Sequence, residues 1–369
     1  MNLSKNGSHT APREQMFRTQ LLAWYDAHAR ALPWRASHDP YRVWLSEIML
    51  QQTRVAAVIA HYHEFLRRFP TVERLAGARE ASVLAAWSGL GYYRRARMLH
   101  AAAKVVARES EGKFPETTDG WRKLPGVGRY TSAAIASIAF GEPVAVVDGN
   151  VERVLQRFLG RRLEGDNFWL TADGLLDRAR PGDFNQAMME LGATVCTPRT
   201  PSCLTCPVVE LCATRGEMAG SARAAKQKKR EIHYALDYRG NGGRDGAVFL
   251  VQRAQDARLM AGMWELPEVA GSRGIAGKEQ VPRFARNNQE AGHDKKRRKD
   301  KSKPRTADDA RSPWFTVRHS ITVTDYTVRV WRRAVAHDAA GKWIASRRLD
   351  GLAMTGLARK ILRKAGVLG

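Results

Sequence analysis

Leu124-Pro-Gly-Val-Gly-Arg-Tyr130, a run of small residues to Phe140, and then Val146-Val-Asp-Gly-Asn-Val151 decide how this chain folds. Pro125, Gly126 and Gly128 do not continue a helix, whereas Tyr130–Phe140 reads as one, and Gly141 stands where a helix closes on a left-handed residue. The pattern predicts a tight hairpin opening onto a helix N-terminus. First-turn N–H groups there lack intrahelical partners, and the missing glycine side chains let a phosphate approach. Gly126, Gly128 and Arg129 are therefore candidates for holding one nucleic-acid phosphate; a helix–helix turn that binds nothing is the other reading of so short a motif. Asp148 then opens a helix whose apolar Val151, Val154, Leu155 and Phe158 recur at i, i+3, i+4 and i+7, one packed face. Its carboxylate is either simply the N-cap or a group facing a sugar carbon of the gripped strand.

Working outward, Met16–Ala31 reads as an amphipathic helix broken by Leu32-Pro-Trp-Arg35, and Val43–Phe65 reads as helical throughout. Glu47 sits among apolar neighbours there. It lies either on a solvated stripe or partly buried, where desolvation raises its pKa and makes it a proton donor near neutral pH. Ser88-Gly-Leu-Gly-Tyr-Tyr93 followed by Arg94, Arg95 and Arg97 suits a loop that presents a ring to bases and cations to phosphates; a core tyrosine pair is the bland reading. Leu99–Glu109, Leu170–Arg178 and Phe184–Cys196 are also helical, and no period-2 segment precedes residue 230, so this part is all-α.

Cys196, Cys203, Cys206 and Cys212 are the only cysteines, spaced C-x6-C-x2-C-x5-C. Four thiolates suit structural zinc, but zinc ribbons pair two knuckles at longer separation, and the compact single loop suits a cubane iron–sulfur cluster. Beyond residue 213 the composition shifts. Residues 215–230 read as a basic linker. Strand-like runs follow at Tyr234–Tyr238, Ala247–Arg253, Leu259–Val269, Trp314–Val317, Ile321–Thr324 and Tyr326–Ala334, with a closing helix over Leu352–Ala365. Residues 271–312, with Lys295-Lys-Arg-Arg-Lys299, lack periodicity and are expected to be disordered, as are residues 1–15.

The chain has 369 residues, with 61 Lys and Arg against 37 Asp and Glu, a net +24. Length suggests two domains. The excess positive charge, carried by the rest of the chain as well as by residues 271–311, points to a polyanion or an anionic membrane surface. No stretch of roughly 18 apolar residues exists to span a bilayer, and the polar N-terminal segment lacks the core of a secretory signal. A cytoplasmic, reducing location is the expectation, so the cysteines call for a role other than disulfides.

These residues together resemble the MutY-type adenine DNA glycosylases of the helix-hairpin-helix superfamily that includes endonuclease III. The resemblance is carried by Leu32–Arg35, Trp44–Thr53, Gly89–Tyr93, the hairpin, Val147–Val151, Phe184–Gly192 and the cysteine loop. It covers residues 16–215 strongly and 231–369 weakly. It implies an all-α helix-hairpin-helix glycosylase domain (16–195) with an iron–sulfur loop (196–214), a linker (215–230) and an α+β Nudix-like C-terminal domain (231–369). It implies a monomer that hydrolyses adenine from duplex DNA when the base lies opposite 8-oxoguanine or guanine, with no membrane role.

By that resemblance, Glu47 would protonate the extruded adenine at N7 and later activate water, while Asp148 would stabilise the oxocarbenium ion at C1′, the logic of retaining glycoside hydrolysis. Tyr130 would support the aspartate and Asn150 would orient it. Gln186, Arg35, Trp34 and Leu50 would line the base pocket, and Gln52 and Tyr92 would wedge into the stack. The four cysteines would hold one [4Fe-4S] cluster. Bifunctional relatives carry lysine where this chain has Tyr130, so the enzyme would be monofunctional. In the C-terminal domain Thr322 would replace the serine of a Phe-Ser-His loop. The Glu-rich metal-binding pattern of a Nudix hydrolase is missing after Pro267, so no pyrophosphatase activity is expected.

Overall fold

The computed structural model describes residues 10–216, 228–240, 245–257, 259–269, 312–321, 324–335 and 341–369. Two compact units result, one formed by residues 1–224 with 351–356 and one by residues 225–350 with 357–369. Residues 351–356, expected within the C-terminal domain, cluster with the first unit.

The first unit is helical among its described residues. Its helices are α1 (Thr10–His28), α2 (Pro40–Leu50), α3 (Val55–Arg68), α4 (Val72–Ala76), α5 (Glu80–Ala86), α6 (Arg94–Glu109), α7 (Thr118–Arg122), α8 (Arg129–Phe140), α9 (Gly149–Leu159), α10 (Asn167–Leu175) and α11 (Pro181–Thr194). Its buried residues include an apolar cluster. Phe17 and Leu21 of α1, Val154, Leu155 and Phe158 of α9, and Phe184, Ala187 and Leu191 of α11 belong to it. Trp44 of α2 packs against Trp121 and Phe114 in another region of the unit, and Phe65 of α3 meets Trp87 edge-on. Helix α2 packs on α8, and α11 packs on both α8 and α9. Gly192 makes the last contact possible, since a Cβ there would lie 2.6 Å from the Asn150 Cβ.

Local chemistry sets the ends of the helices that matter for function. Asp39 caps α2 by accepting from the Arg42 amide at 2.9 Å, with Pro40 in the first turn, where its missing N–H costs nothing. The expected continuous helix over Val43–Phe65 is two helices. Gln52 adopts a left-handed backbone (φ 55°) that stops α2, and α3 begins again at Val55. Helix α8 closes at Gly141 (φ 72°), as its sequence predicts.

The N-terminal tail expected to be disordered is helical from Thr10. Arg13 explains this, because it donates to the Leu211 carbonyl at 2.6 Å and lies over the Phe158 ring at 4.6 Å. Residues 1–9 lie outside the described residues. Helix α6 starts at Arg94 rather than Leu99, α10 spans Asn167–Leu175, and α11 starts at Pro181 because Pro suits the first turn.

The second unit holds β1 (Lys228–Leu236), β2 (Tyr238–Arg239), β3 (Ala247–Gln252), β4 (Trp264–Glu265), β5 (Phe315–Ile321), β6 (Thr324–Arg332), β7 (Gly341–Ala345) and α12 (Gly356–Lys364). One sheet runs β1-β6-β5, with β1 parallel to β6 and β5 antiparallel to it. In the other, β3 pairs antiparallel with β2, β4 and β7. Val248, Leu250, Val328, Val330, Ile361 and Leu362 are buried in this unit. Three expectations are corrected. Residues 228–230, read as linker, pair with 324–326 through backbone groups that leave no side-chain signature. Of Leu259–Val269 only Trp264–Glu265 forms a strand, and the closing helix starts four residues later than expected. The rest of the linker (217–227), nearly all of the basic insertion (271–311) and Thr322 lie outside the described residues.

Candidate active site

Helix α2 delivers Glu47 into a cavity of about 570 Å3, within the range of roughly 300–1,000 Å3 typical of small-molecule sites. The solvated-stripe alternative fails, for Glu47 is only 6% exposed. Asp148, Asn150, Tyr130, Gln186, Arg35, Trp34, Leu50 and Gln52 line the same cavity. Residues separated by as many as 152 positions therefore meet in one place, brought there by the α2–α8 and α9–α11 contacts.

The two carboxylates are held differently. Burial pushes Glu47 up from 4.5 to about 7, opposed by the Tyr130 hydroxyl and reinforced by the Asp148 charge. Tyr130 donates to Glu47 Oε2 at 2.8 Å and also contacts Met189 Sδ at 3.3 Å. Burial and the neighbouring carboxylates drive the Tyr130 phenol well above its ordinary value, so it stays a donor at neutral pH. Tyr130 was expected to support the aspartate; its hydroxyl instead serves Glu47, because α8 runs directly against α2.

Asp148 is an N-cap and faces the cavity at once, so its two readings are compatible. Its Oδ1 accepts from the Asn150 and Val151 amides at 2.9 and 2.8 Å, and its Oδ2 accepts from Asn150 Nδ2 at 2.9 Å. These donors fix the carboxylate at the positive end of α9. Asn150 thus holds Asp148 through both its backbone and its side-chain amide.

One cavity wall is an ion network that sequence reading missed. Glu190, with a side chain 1% exposed, meets Arg30 at 2.6 Å and Arg35 at 2.9 Å. Burial pushes Glu190 up, yet the two guanidiniums prevail and hold it below the usual range. Glu190 was visible as the residue one helical turn beyond Gln186, and Arg30 stands just before the Leu32–Arg35 marker.

Among the remaining candidates, Tyr92 does not line the cavity. It is 43% exposed on the loop after Gly91, in a left-handed backbone (φ 49°). The hairpin is exposed at Gly126, Gly128 and Arg129. Gly126 has φ 76°, and a Cβ there would strike Met98, so the turn demands glycine. Arg129 is steadied by Asp166 at 2.6 Å and by the Trp169 ring at 4.0 Å.

Burial pushes the Cys203 and Cys206 thiols up, Cys206 to about 11, and Cys196 and Cys212 reinforce both shifts. Arg157 reaches Cys196 Sγ at 3.4 Å and binds the Thr197 and Pro198 carbonyls at 2.7 and 3.0 Å. Among the described residues no three His, Cys, Asp or Glu side chains stand close enough to hold one metal ion. No helix among them is long and apolar enough to cross a membrane.

Comparison with known proteins accounts for this arrangement. The family described as HhH-GPD superfamily base excision DNA repair protein matches residues 45–164. The adenine DNA glycosylase of Homo sapiens is 40% identical over 312 residues, covering 69% of this chain and 57% of the human protein. That of Mycobacterium tuberculosis is 43% identical over 215 residues, covering 56% of this chain and 70% of its own length. The chain spans about half to three-fifths of the human, mouse and Arabidopsis thaliana relatives. A thermostable thymine-DNA glycosylase structure aligns with a TM-score of 0.53 at 30% identity, over 56% of this chain and 98% of that one. Since a relative matched over more than two thirds of its length shares 43% of aligned residues, the chain belongs to the adenine DNA glycosylase family.

Proposed function

We propose that this chain is a base-excision DNA glycosylase that hydrolyses the N-glycosidic bond of adenine lying opposite 8-oxoguanine or guanine in duplex DNA. One observation carries the reading: a buried carboxyl titrating near neutrality shares a cavity with a second carboxylate fixed at a helix N-terminus. A base in the stack is out of reach of either, so the adenine is rotated into the cavity.

Glu47, protonated below about pH 7, gives its proton to adenine N7. The C1′–N9 bond breaks with its electron pair leaving on the purine, and Asp148 meets the positive charge at C1′ by forming a transient bond to it. Glu47, now a carboxylate accepting from Tyr130, takes a proton from the water that displaces Asp148. Asn150 keeps the attacking oxygen aimed. Gln186 and Arg35 read the purine edge from the cavity wall, with Arg35 anchored by Glu190. Gln52 and Tyr92 wedge the stack beside the lesion, and Gly126, Gly128 and Arg129 hold a backbone phosphate. With Tyr130 in place of a lysine, no Schiff base forms and the strand is left uncut.

Cys196, Cys203, Cys206 and Cys212 would hold one [4Fe-4S] cluster, whose all-thiolate ligation supplies structure and DNA positioning rather than hydrolysis. Four soft thiolates spaced C-x6-C-x2-C-x5-C in one compact loop, rather than as two knuckles at longer separation, fit such a cluster.

The second unit would be a Nudix-like module contacting the lesion strand, with Thr322 supplying the lesion-reading hydroxyl and no pyrophosphatase activity. The chain would act as a monomer. Incubation with a duplex carrying adenine opposite 8-oxoguanine, followed by alkali, tests the reading. Cleavage at the adenine is expected; an intact strand despite duplex binding would make the chain a binding module instead.

A further inference from the structure

Arg95, in the first turn of α6, is half-buried and points away from that helix. Its Nη1 donates to the carbonyls of Ile48 at 2.8 Å, Met49 at 3.0 Å and Gln51. Its Nη2 donates to Thr53 Oγ1 at 3.1 Å and to the carbonyls of Leu90 and Gly91, each at 3.2 Å. The guanidinium also lies 5.4 Å from the Tyr92 ring centroid and 5.5 Å from that of Trp87.

This placement has two consequences. First, Nη1 binds carbonyls at the C-terminal end of α2, the helix that carries Glu47. Those carbonyls lack intrahelical donors, and a cation there complements the helix dipole. Second, the contacts bracket two strained residues. Gln52 (φ 55°) lies between Gln51 and Thr53, and Tyr92 (φ 49°) follows Leu90 and Gly91. Left-handed backbone at bulky residues is costly and persists only where the surroundings hold it. One guanidinium supplies that hold for both.

We propose that Arg95 is a positioning residue that locks the Gln52 turn, the Tyr92 loop and the end of the Glu47 helix into one rigid piece, so that extrusion of the base and delivery of the acid are mechanically a single event. This rests on the glycosylase reading above. Lysine does not replace Arg95 fully, because one ammonium cannot span two loops as a planar fork does. With the lock removed, the wedge residues relax, and the base reaches the acid less often once it must first leave a paired stack.

The test uses the full chain with Arg95→Met and Arg95→Lys. Single-turnover excision is measured on a duplex with adenine opposite 8-oxoguanine and on one with adenine opposite an abasic gap, where leaving the stack costs little. Arg95→Met is expected to lose about 100-fold on the paired substrate, the scale of a 1 Å misplacement, and under about tenfold on the gapped one. Binding to undamaged duplex should stay within roughly threefold. Arg95→Lys should show the same selective loss at about one-tenth the size, and it carries the test if the methionine variant does not fold. Equal losses on both substrates, or no loss, overturn the proposal. A wild-type chain inactive on both duplexes would instead overturn the glycosylase reading itself.

Discussion

Replacing Glu47 by Gln separates the acid's chemistry from its energetic cost. Burial holds Glu47 near 7 against an ordinary 4.5. At about 1.36 kcal/mol per pKa unit, the ionised side chain at pH 8 costs the fold on the order of 3 kcal/mol. The sign follows from proton uptake: the folded state keeps the proton to higher pH than the unfolded state. Glu47's cost is therefore zero below about pH 4.5, grows as pH rises toward 7, and is complete above it. Glutamine carries no charge at any pH and its amide oxygen can still accept from Tyr130. Melting temperatures of Glu47→Gln and wild type should therefore converge near pH 4.5 and separate above pH 7, with the variant higher by roughly 6–12 °C, although it excises no adenine. Parallel melting profiles from pH 5 to 9 would refute the burial argument, and full turnover by the variant would refute the acid assignment.

Other residues give independent tests. Tyr130→Phe removes the donor that holds the Glu47 pKa down, so the alkaline limb of the excision profile should move to higher pH; a shift the other way contradicts the contact. Asp148→Asn keeps a good N-cap, so its melting temperature should stay within about 2 °C of wild type while single-turnover excision falls by at least about 1,000-fold; joint loss of both would reduce Asp148 to a cap. Glu190→Gln leaves two guanidiniums facing an uncharged buried partner and should cost about 3–5 kcal/mol by denaturation. Because Glu190 is held low, its contribution is present above about pH 4.5 and disappears as pH falls, so the variant's deficit should shrink in acid. Purified protein should carry about four irons per chain with broad visible absorption; a colourless protein with one zinc would reject the cluster.

The hairpin, the Gly141 stop and the packed face of α9 were legible because each rests on local chemistry: glycine φ, capping and helical periodicity. The convergence of Glu47, Asp148, Tyr130, Asn150 and Gln186 was legible only through family resemblance, since nothing in the spacing of residues 47 and 148 says that α2 and α9 share a cavity. Single residues misled where tertiary contacts overrode local pattern. Gln52 breaks a run that reads as helix, because Arg95 holds it in a left-handed turn. Residues 10–15 look like a polar tail, yet Arg13 anchors them to Phe158 and Leu211. Glu190 looked like an ordinary helical glutamate until Arg30 and Arg35 arrived from 155 or more residues away.

The most direct measurement is a crystal structure of Asp148→Asn bound to a duplex with adenine opposite 8-oxoguanine. The adenine should occupy the cavity, with N7 within hydrogen-bond reach of Glu47 and C1′ facing position 148. An adenine still stacked in the duplex, or lodged where Glu47 cannot touch it, would contradict the shared-nucleotide arrangement on which the mechanism stands.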